Sequence, residues 1–273
     1  MCLLAWNWNP SSEAPLLLLS NRDEFYARAT QPLHWWAEST SGHQILAGKD
    51  LQAGGTWLGV SRSGRLAAVT NYRSAEGARP DTPSRGELVA GFLQCDARAA
   101  DYLKCLEVHA SEYNPFNLLV FDGQQLMGFE SRGSKILTLP HGVGAVSNAD
   151  FETPWTKLIR LKHRLQEQSG CDGVETEEFL KLLHDRTMAS QSNLPKTGIS
   201  QELEHALSST FISIPGYGTR ACSVILMGTN SIKFVEQRFD ENGLQGTEQH
   251  SFNVLPAVRS LPQAPQGCPG VPS

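Results

Sequence analysis

The residues with the most chemical potential stand at the front of the chain. Met1 is followed by Cys2, and Asn21-Arg22-Asp23-Glu24 comes a short way on. Cysteine is small, so an aminopeptidase can remove an initiator methionine in front of it. The first residue then carries a thiol and a free α-amino group together. The amine titrates at about 7.7–8.0 and the thiol near ~8.5, so one residue holds a nucleophile and a base of matched strength. That pairing suits an N-terminal nucleophile attacking a carbonyl. A cysteine at position 2, taken alone, is more often a buried strand residue; its companions decide between the two.

Two elements must bring those companions to it. Residues 2–8 alternate as a strand, 9–15 contain Pro10 and Pro15 and form a turn, and 16–22 form a second strand. A turn centred near Ser12 pairs residues whose numbers sum to about 25 in an antiparallel hairpin. Cys2 is then expected opposite Asp23, give or take a residue, with a carboxylate beside the α-ammonium. Arg22 points to the face opposite Asn21 and Asp23. A second hairpin is expected from 56–60 and 66–71 about Ser63-Gly64, with Gly54-Gly55 allowing a close approach of backbone or ligand.

Helical spacing predicts helices over 86–95, 96–110, 154–168, 176–184 and 201–207, the third with Pro154 in its first turn and Thr153 as its cap. Strands are expected over 117–121, 125–130, 135–139, 141–148, 220–227, 233–239 and 249–254. Strands at both ends with helices between them give an α+β chain. We expect one domain over 1–255, a four-layer αββα sandwich of two antiparallel sheets covered by helices, and a Pro/Gly-rich tail over 256–273.

With 273 residues, 40% of them apolar, the chain can bury a sizeable core. A net charge of -5 gives no electrostatic footprint for nucleic acid. No apolar run approaches a membrane span, and no secretory leader is read at the start. The six cysteines lack CxxC spacing, which argues against a zinc site or a disulfide framework. The expectation is a cytoplasmic protein whose Cys2 stays a thiol.

Five words occur in order along the chain: Asn21-Arg22-Asp23-Glu24, Gly55-Thr56-Trp57-Leu58-Gly59, Thr70-Asn71-Tyr72-Arg73, Ser147-Asn148 followed by Pro154-Trp155, and Tyr217-Gly218-Thr219-Arg220. Together they resemble the NRDE family, also called the transport and Golgi organisation protein 2 family, over residues 1 to 255. That family is in turn similar to N-terminal-nucleophile hydrolases of the choloylglycine hydrolase and penicillin acylase type, which have an αββα fold and cleave amide bonds with an N-terminal cysteine. The resemblance implies Cys2 as nucleophile and Asp23 as the holder of its amine. It implies Asn71 and Asn148 as groups that polarise the substrate carbonyl or contact the amine, and Arg220 as a late arginine supporting the nucleophile. Those hydrolases carry Arg-Asn-x-Asp; here Ser20 stands in the arginine's place and the arginine is Arg22.

The expected function is Cys2-dependent hydrolysis of a non-peptide amide or thioester, requiring no cofactor. Asn21, Arg22, Glu24, Trp57 and Arg73 are the expected ligand-binding residues. The resemblance also implies a second reading, because the NRDE family is linked to haem movement and acyl-coenzyme A handling: a carrier for haem or acyl-coenzyme A using the same cleft. Axial ligation of haem falls to His34, His43 or His141, or to Cys2 or Met1. Arg22, Arg73, Arg79 and Arg85 are the candidates to receive propionates or phosphates.

Overall fold

A computed structural model describes residues 2–37, 42–169 and 175–255. The tail expected over 256–273 lies outside them, as do Met1, Cys171 and Cys268. The described residues divide into two compact units: those within 2–28, 70–78 and 140–251 in the first, and those within 29–69, 79–139 and 252–255 in the second.

Strands β1 (Cys2–Trp8), β2 (Leu16–Phe25), β3 (Thr30–Trp35), β4 (Ile45–Asp50), β5 (Leu58–Ser61) and β6 (Leu66–Asn71) precede helices α1 (Arg85–Leu93) and α2 (Ala99–His109). Strands β7 (Phe116–Phe121), β8 (Leu126–Glu130), β9 (Lys135–Thr138) and β10 (Gly142–Val146) follow. Then come α3 (Thr156–Ser169), α4 (Thr176–Leu183) and α5 (Gln201–Ala206). Strands β11 (Ser213–Ile214), β12 (Tyr217–Met227), β13 (Ser231–Asp240) and β14 (Gly243–Asn253) close the described chain. The first unit's sheet has the order β10-β1-β2-β12-β13-β14, with β11 beside β12; the second sheet runs β3 to β9 in sequence order.

In the first unit one face of the sheet is apolar. Leu3, Ala5, Leu17, Leu19, Cys222 and Val224 pack against Leu158, Leu161 and Leu165 of α3 and Phe179, Leu180 and Leu183 of α4. These positions alternate along each strand and recur at helical spacing along α3, so a strip of helix covers a strip of sheet. In the second unit Ala47, Ala67, Leu118, Val120 and Phe129 pack against Leu88, Phe92, Leu103 and Leu106 of α1 and α2. The helices expected from periodicity are therefore present. The third starts later than expected: Thr156 opens it, and the Thr153 hydroxyl bonds to the Asp150 carbonyl in the preceding turn.

The hairpin register differs from the expectation by one residue. Cys2 pairs with Arg22, Leu3 with Asn21 and Trp8 with Leu16, a sum of 24. The loop closes with the Asn9 N–H donating to the Pro15 carbonyl at 2.8 Å, symmetric about Ser12 itself. Half a residue in the turn's centre is a whole residue in the register.

The cysteines also depart from the expectation. Cys2, Cys95 and Cys222 are free and buried, but Cys105 is disulfide-bonded. Scattered spacing along a sequence says nothing about proximity in the fold. No helix among the described residues is long and apolar enough to cross a membrane.

Gly55 is a close-approach glycine, and its neighbour is backbone. A Cβ there would lie 2.5 Å from the Gly86 carbonyl carbon and 2.9 Å from the Glu87 nitrogen, at the start of α1. Helix main chain cannot rotate away as a side chain can. Gly55→Ala is therefore expected to lower stability by about 1–3 kcal/mol, as overpacking does. Gly133→Ala, whose Cβ would meet nothing within 4 Å, should leave the urea midpoint nearly unchanged. Urea unfolding of both variants beside the parent checks this.

Candidate functional site

The β1–β2 pairing distributes the candidate residues over the two faces of one sheet. Residues directly opposite in an antiparallel pair share a face, so Cys2 and Arg22 point the same way. Asn21 and Asp23 point to the other face, toward α3 and α4. The expected sharing of one face by the Cys2 thiol and the Asp23 carboxylate is thus corrected. The backbone nitrogen of Cys2 lies at the start of β1. Arg22 lies on the face opposite Asn21 and Asp23, as alternation requires, and is buried.

A chain of hydrogen bonds ties Cys2 to the two expected asparagines. The Ser147 hydroxyl lies 3.2 Å from both the Cys2 carbonyl oxygen and Asn148 Oδ1. Asn148 has no exposed surface. Its Nδ2 donates to the Asn71 carbonyl at 2.9 Å, and its own carbonyl accepts the Arg73 N–H at 2.7 Å. The end of β10 thereby fastens the segment after β6 beside the first residue of β1.

On the opposite face Asp23 is buried and accepts a 2.7 Å hydrogen bond from the Thr219 hydroxyl. Thr219 Oγ1 in turn accepts the Ile212 N–H at 2.9 Å, which fixes its proton toward Asp23. Gly218 makes that arrangement fit: a Cβ there would lie 2.7 Å from the Ile212 carbonyl and collide with the Tyr26 hydroxyl. Burial pushes the Asp23 carboxyl up, and Lys157 opposes it most among the charged side chains. Burial likewise pushes the Cys2 thiol up; Asp23 and Glu24 add to this, and Arg22 works against it. The resting form at neutral pH is the thiol.

Lys157 is a residue that sequence reasoning passed over. It is 1% exposed, donates to the Leu207 carbonyl at 3.2 Å, and is pushed down to about 8 by burial, with Asp23 restraining the shift. The signal was present. Lys157 stands four and eight residues before Leu161 and Leu165, on the buried stripe of α3, where a lysine needs a reason. Glu204 was also missed. It is buried and pairs with Arg73 Nη1 at 2.5 Å, while its other oxygen takes the Thr197 N–H and hydroxyl at 2.9 and 2.6 Å.

Other expected residues are placed differently. Both Nδ2 hydrogens of Asn21 go to the carbonyls of Leu183 and Thr210, at 2.9 and 2.8 Å. The Arg220 guanidinium donates to four carbonyls, those of Phe239, Phe25, Tyr26 and Arg28, and so clamps the chain as it leaves β2. Glu24 is half-buried and accepts the Phe25 N–H. Trp57 belongs to the second unit, its ring over Gly48. His34 and His43 are there too, the first near the Pro32 carbonyl and the second 3.6 Å from Asp96. His141 is exposed, edge-on to Trp8. Arg79 and Arg85 bond to the backbone carbonyls of Tyr113 and Pro115. Among the described residues no group of three or more His, Cys, Asp or Glu could hold a metal ion.

The model of the family described as Transport and Golgi organisation 2 matches residues 1–241. The chain belongs to that family. The mouse Transport and Golgi organization 2 homolog is 31% identical over 274 residues, covering 92% of this chain and 98% of the relative. The human homolog is 30% identical over 274 residues with the same coverage, and the Drosophila melanogaster protein is 26% identical over 251 residues, covering 81% and 85%. Among solved structures, the C2A mutant of conjugated bile acid hydrolase from Clostridium perfringens superposes with a TM-score of 0.52 at 10% identity, covering 96% of this chain and all of that one. At that identity the likeness speaks for the fold alone. The fold of this family member is α+β with two antiparallel sheets and helices, and it is similar to that of the bile acid hydrolase.

Two predictions follow from the buried charges. Removing one partner of a buried ion pair strands the other, so Glu204→Ala should cost about 3–5 kcal/mol in urea unfolding. Lys157 titrates near 8 in the folded chain and near 10.5 when unperturbed. Across that window the unfolded chain holds a proton the folded chain lacks, so this group's contribution to stability grows as pH rises. In Lys157→Met that component of the rise should vanish, which urea midpoints at about pH 7 and about pH 10 measure.

Proposed function

We propose that this family member is a hydrolase of a non-peptide amide or thioester with Cys2 as its nucleophile. The observation that carries the reading is the hydrogen-bonded chain from the Cys2 carbonyl through Ser147 and Asn148 to Asn71 and Arg73. It gathers residues far apart in sequence around the one residue able to act as nucleophile and base together. The whole chain lies within the first unit.

Removal of Met1 turns the Cys2 nitrogen into an α-amino group. That amine takes the thiol proton as Sγ attacks the substrate carbonyl. A thiol raised by burial needs such a base at the moment of attack. The proton passes to the departing amine or thiol as the C–N or C–S bond breaks. Water then cleaves the thioester on Cys2, which restores the thiol and releases the acid. Asn71 is the donor best suited to the developing oxyanion, since it is partly exposed and its main chain is held by Asn148 before substrate arrives. Asp23, fixed by Thr219, serves the ammonium from the other face.

Intact mass of the purified protein before and after exposure to an activated acyl ester tests this. The expected result is loss of Met1 and one added acyl group, absent in Cys2→Ala. Asn71→Ala should slow acylation by ~10²-fold or more while leaving Met1 removal intact. Full retention of Met1, or acylation unchanged in Cys2→Ala, would overturn the reading. Saturable binding of haem by a chain that keeps Met1 and takes no acyl group would select the carrier instead.

A further inference from the structure

Arg73 is buried in an unusual way. Its side chain is 4% exposed, and Nη1 is paired with Glu204 at 2.5 Å. Its guanidinium lies over the Trp155 ring, 4.7 Å from the centroid. The Nε and Nη2 groups are buried and have no hydrogen-bond partner within the protein. These two atoms form one edge of the guanidinium, the edge that meets both oxygens of a planar carboxylate at once. A buried charged donor left without an acceptor is costly, so a chain that keeps two on one edge points to an acceptor from outside.

Arg73 lines a small recess, and the rest of the lining agrees in charge. Trp155, Lys157, Leu207, Ser208 and Asn193 are among the walls; two lining residues are cationic and none is acidic. Glu204 cannot serve the free edge, because Arg73 Nη1 and Thr197 engage both of its oxygens. The Ser208 hydroxyl donates to the His205 carbonyl at 2.6 Å and accepts the Ala189 N–H at 2.9 Å. The Lys157 ammonium makes one bond, to Leu207, and retains further donors. The recess is small, so it takes a head group and not the body of a ligand.

We propose that this recess is a binding site for a small carboxylate anion, held in a fork by Nε and Nη2 of Arg73 with Lys157 as second cation. It lies under α3, on the Asp23 side of the sheet, and the proposal does not depend on acyl transfer at Cys2. Occupancy places a negative charge beside Lys157, whose electrostatic partners include both Asp23 and Cys2. The site is thereby linked in charge to the end of the sheet where the nucleophile stands.

The test uses the full chain and sodium formate, with sodium chloride at equal ionic strength as the reference. Thermal unfolding should rise saturably with formate in the parent. In Arg73→Lys, which keeps the charge but loses the fork, half-saturation should weaken by at least about tenfold. Lys157→Met should weaken it as well. A flat formate response in the parent would mean that the recess holds only water, and the proposal fails. It fails equally if the response is unsaturable, or if Arg73→Lys responds as the parent does while remaining folded. Acylation at Cys2, measured separately by mass, leaves both outcomes readable.

Discussion

The pairing of Cys2 with Arg22 is the constraint on which the first unit depends. Side chains alternate along a strand, so a slip of one residue would exchange every inward position of β1 for an outward one. In the observed register Leu3 and Ala5 join Leu17 and Leu19 beneath α3 and α4. The same register turns Asn21 toward the carbonyls at the end of α4, where both of its amide hydrogens are used. Apolar burial and a buried amide therefore select one alignment together. Cys2 is carried along with it, onto the face of Arg22.

Beneath the helices the sheet meets a cluster of charge that an apolar core would ordinarily reject. Asp23, Lys157, Arg73 and Glu204 are each at least nine-tenths buried. Burying a charge is costly unless it is paired and hydrogen-bonded. Glu204 meets that demand fully, with three donors on two oxygens. Asp23 has the Thr219 hydroxyl and the field of Lys157. Apolar residues of the same volume in place of such a buried cluster are often neutral or stabilising, so burial of these four charges is not by itself a source of stability.

Much of the architecture is legible in the residue pattern because alternation and helical spacing are local signals. The strands at each end and the five helices follow from them. Of the strands not anticipated, β11 is only two residues long, and β3 and β4 are those whose composition conceals alternation. β3 contains Pro32 and polar residues and lies at a sheet edge, where proline is tolerated. β4 contains Gly48, which the Trp57 ring covers. At the site, the nearness of Cys2, Asn71 and Asn148 was anticipated by family resemblance and not by spacing, since hydrogen bonds across 77 and 145 positions leave no local trace. Arg220 shows the converse: a motif arginine whose four carbonyl partners hold a turn. Lys157 was visible as a charge on an apolar stripe, but a stripe does not reveal which carboxylate awaits it.

The division of groups between the two faces bears directly on how a cysteine at a strand's end would act. A thiol and a carboxylate side by side would raise the thiol's resistance to ionisation, because like charges would meet in a region of low dielectric. Asp23 does raise the Cys2 thiol, yet it is placed on the far face, where Lys157 of α3 acts on it, while Arg22 on the near face works in the opposite sense. The backbone nitrogen of Cys2 belongs to the strand itself, between the two faces. An ammonium there would be stabilised from one side by the carboxylate, and on the other side the thiol would keep a cationic neighbour. The register that buries Leu3 is thus the same register that sets the Asp23 carboxylate and the Cys2 thiol on opposite faces.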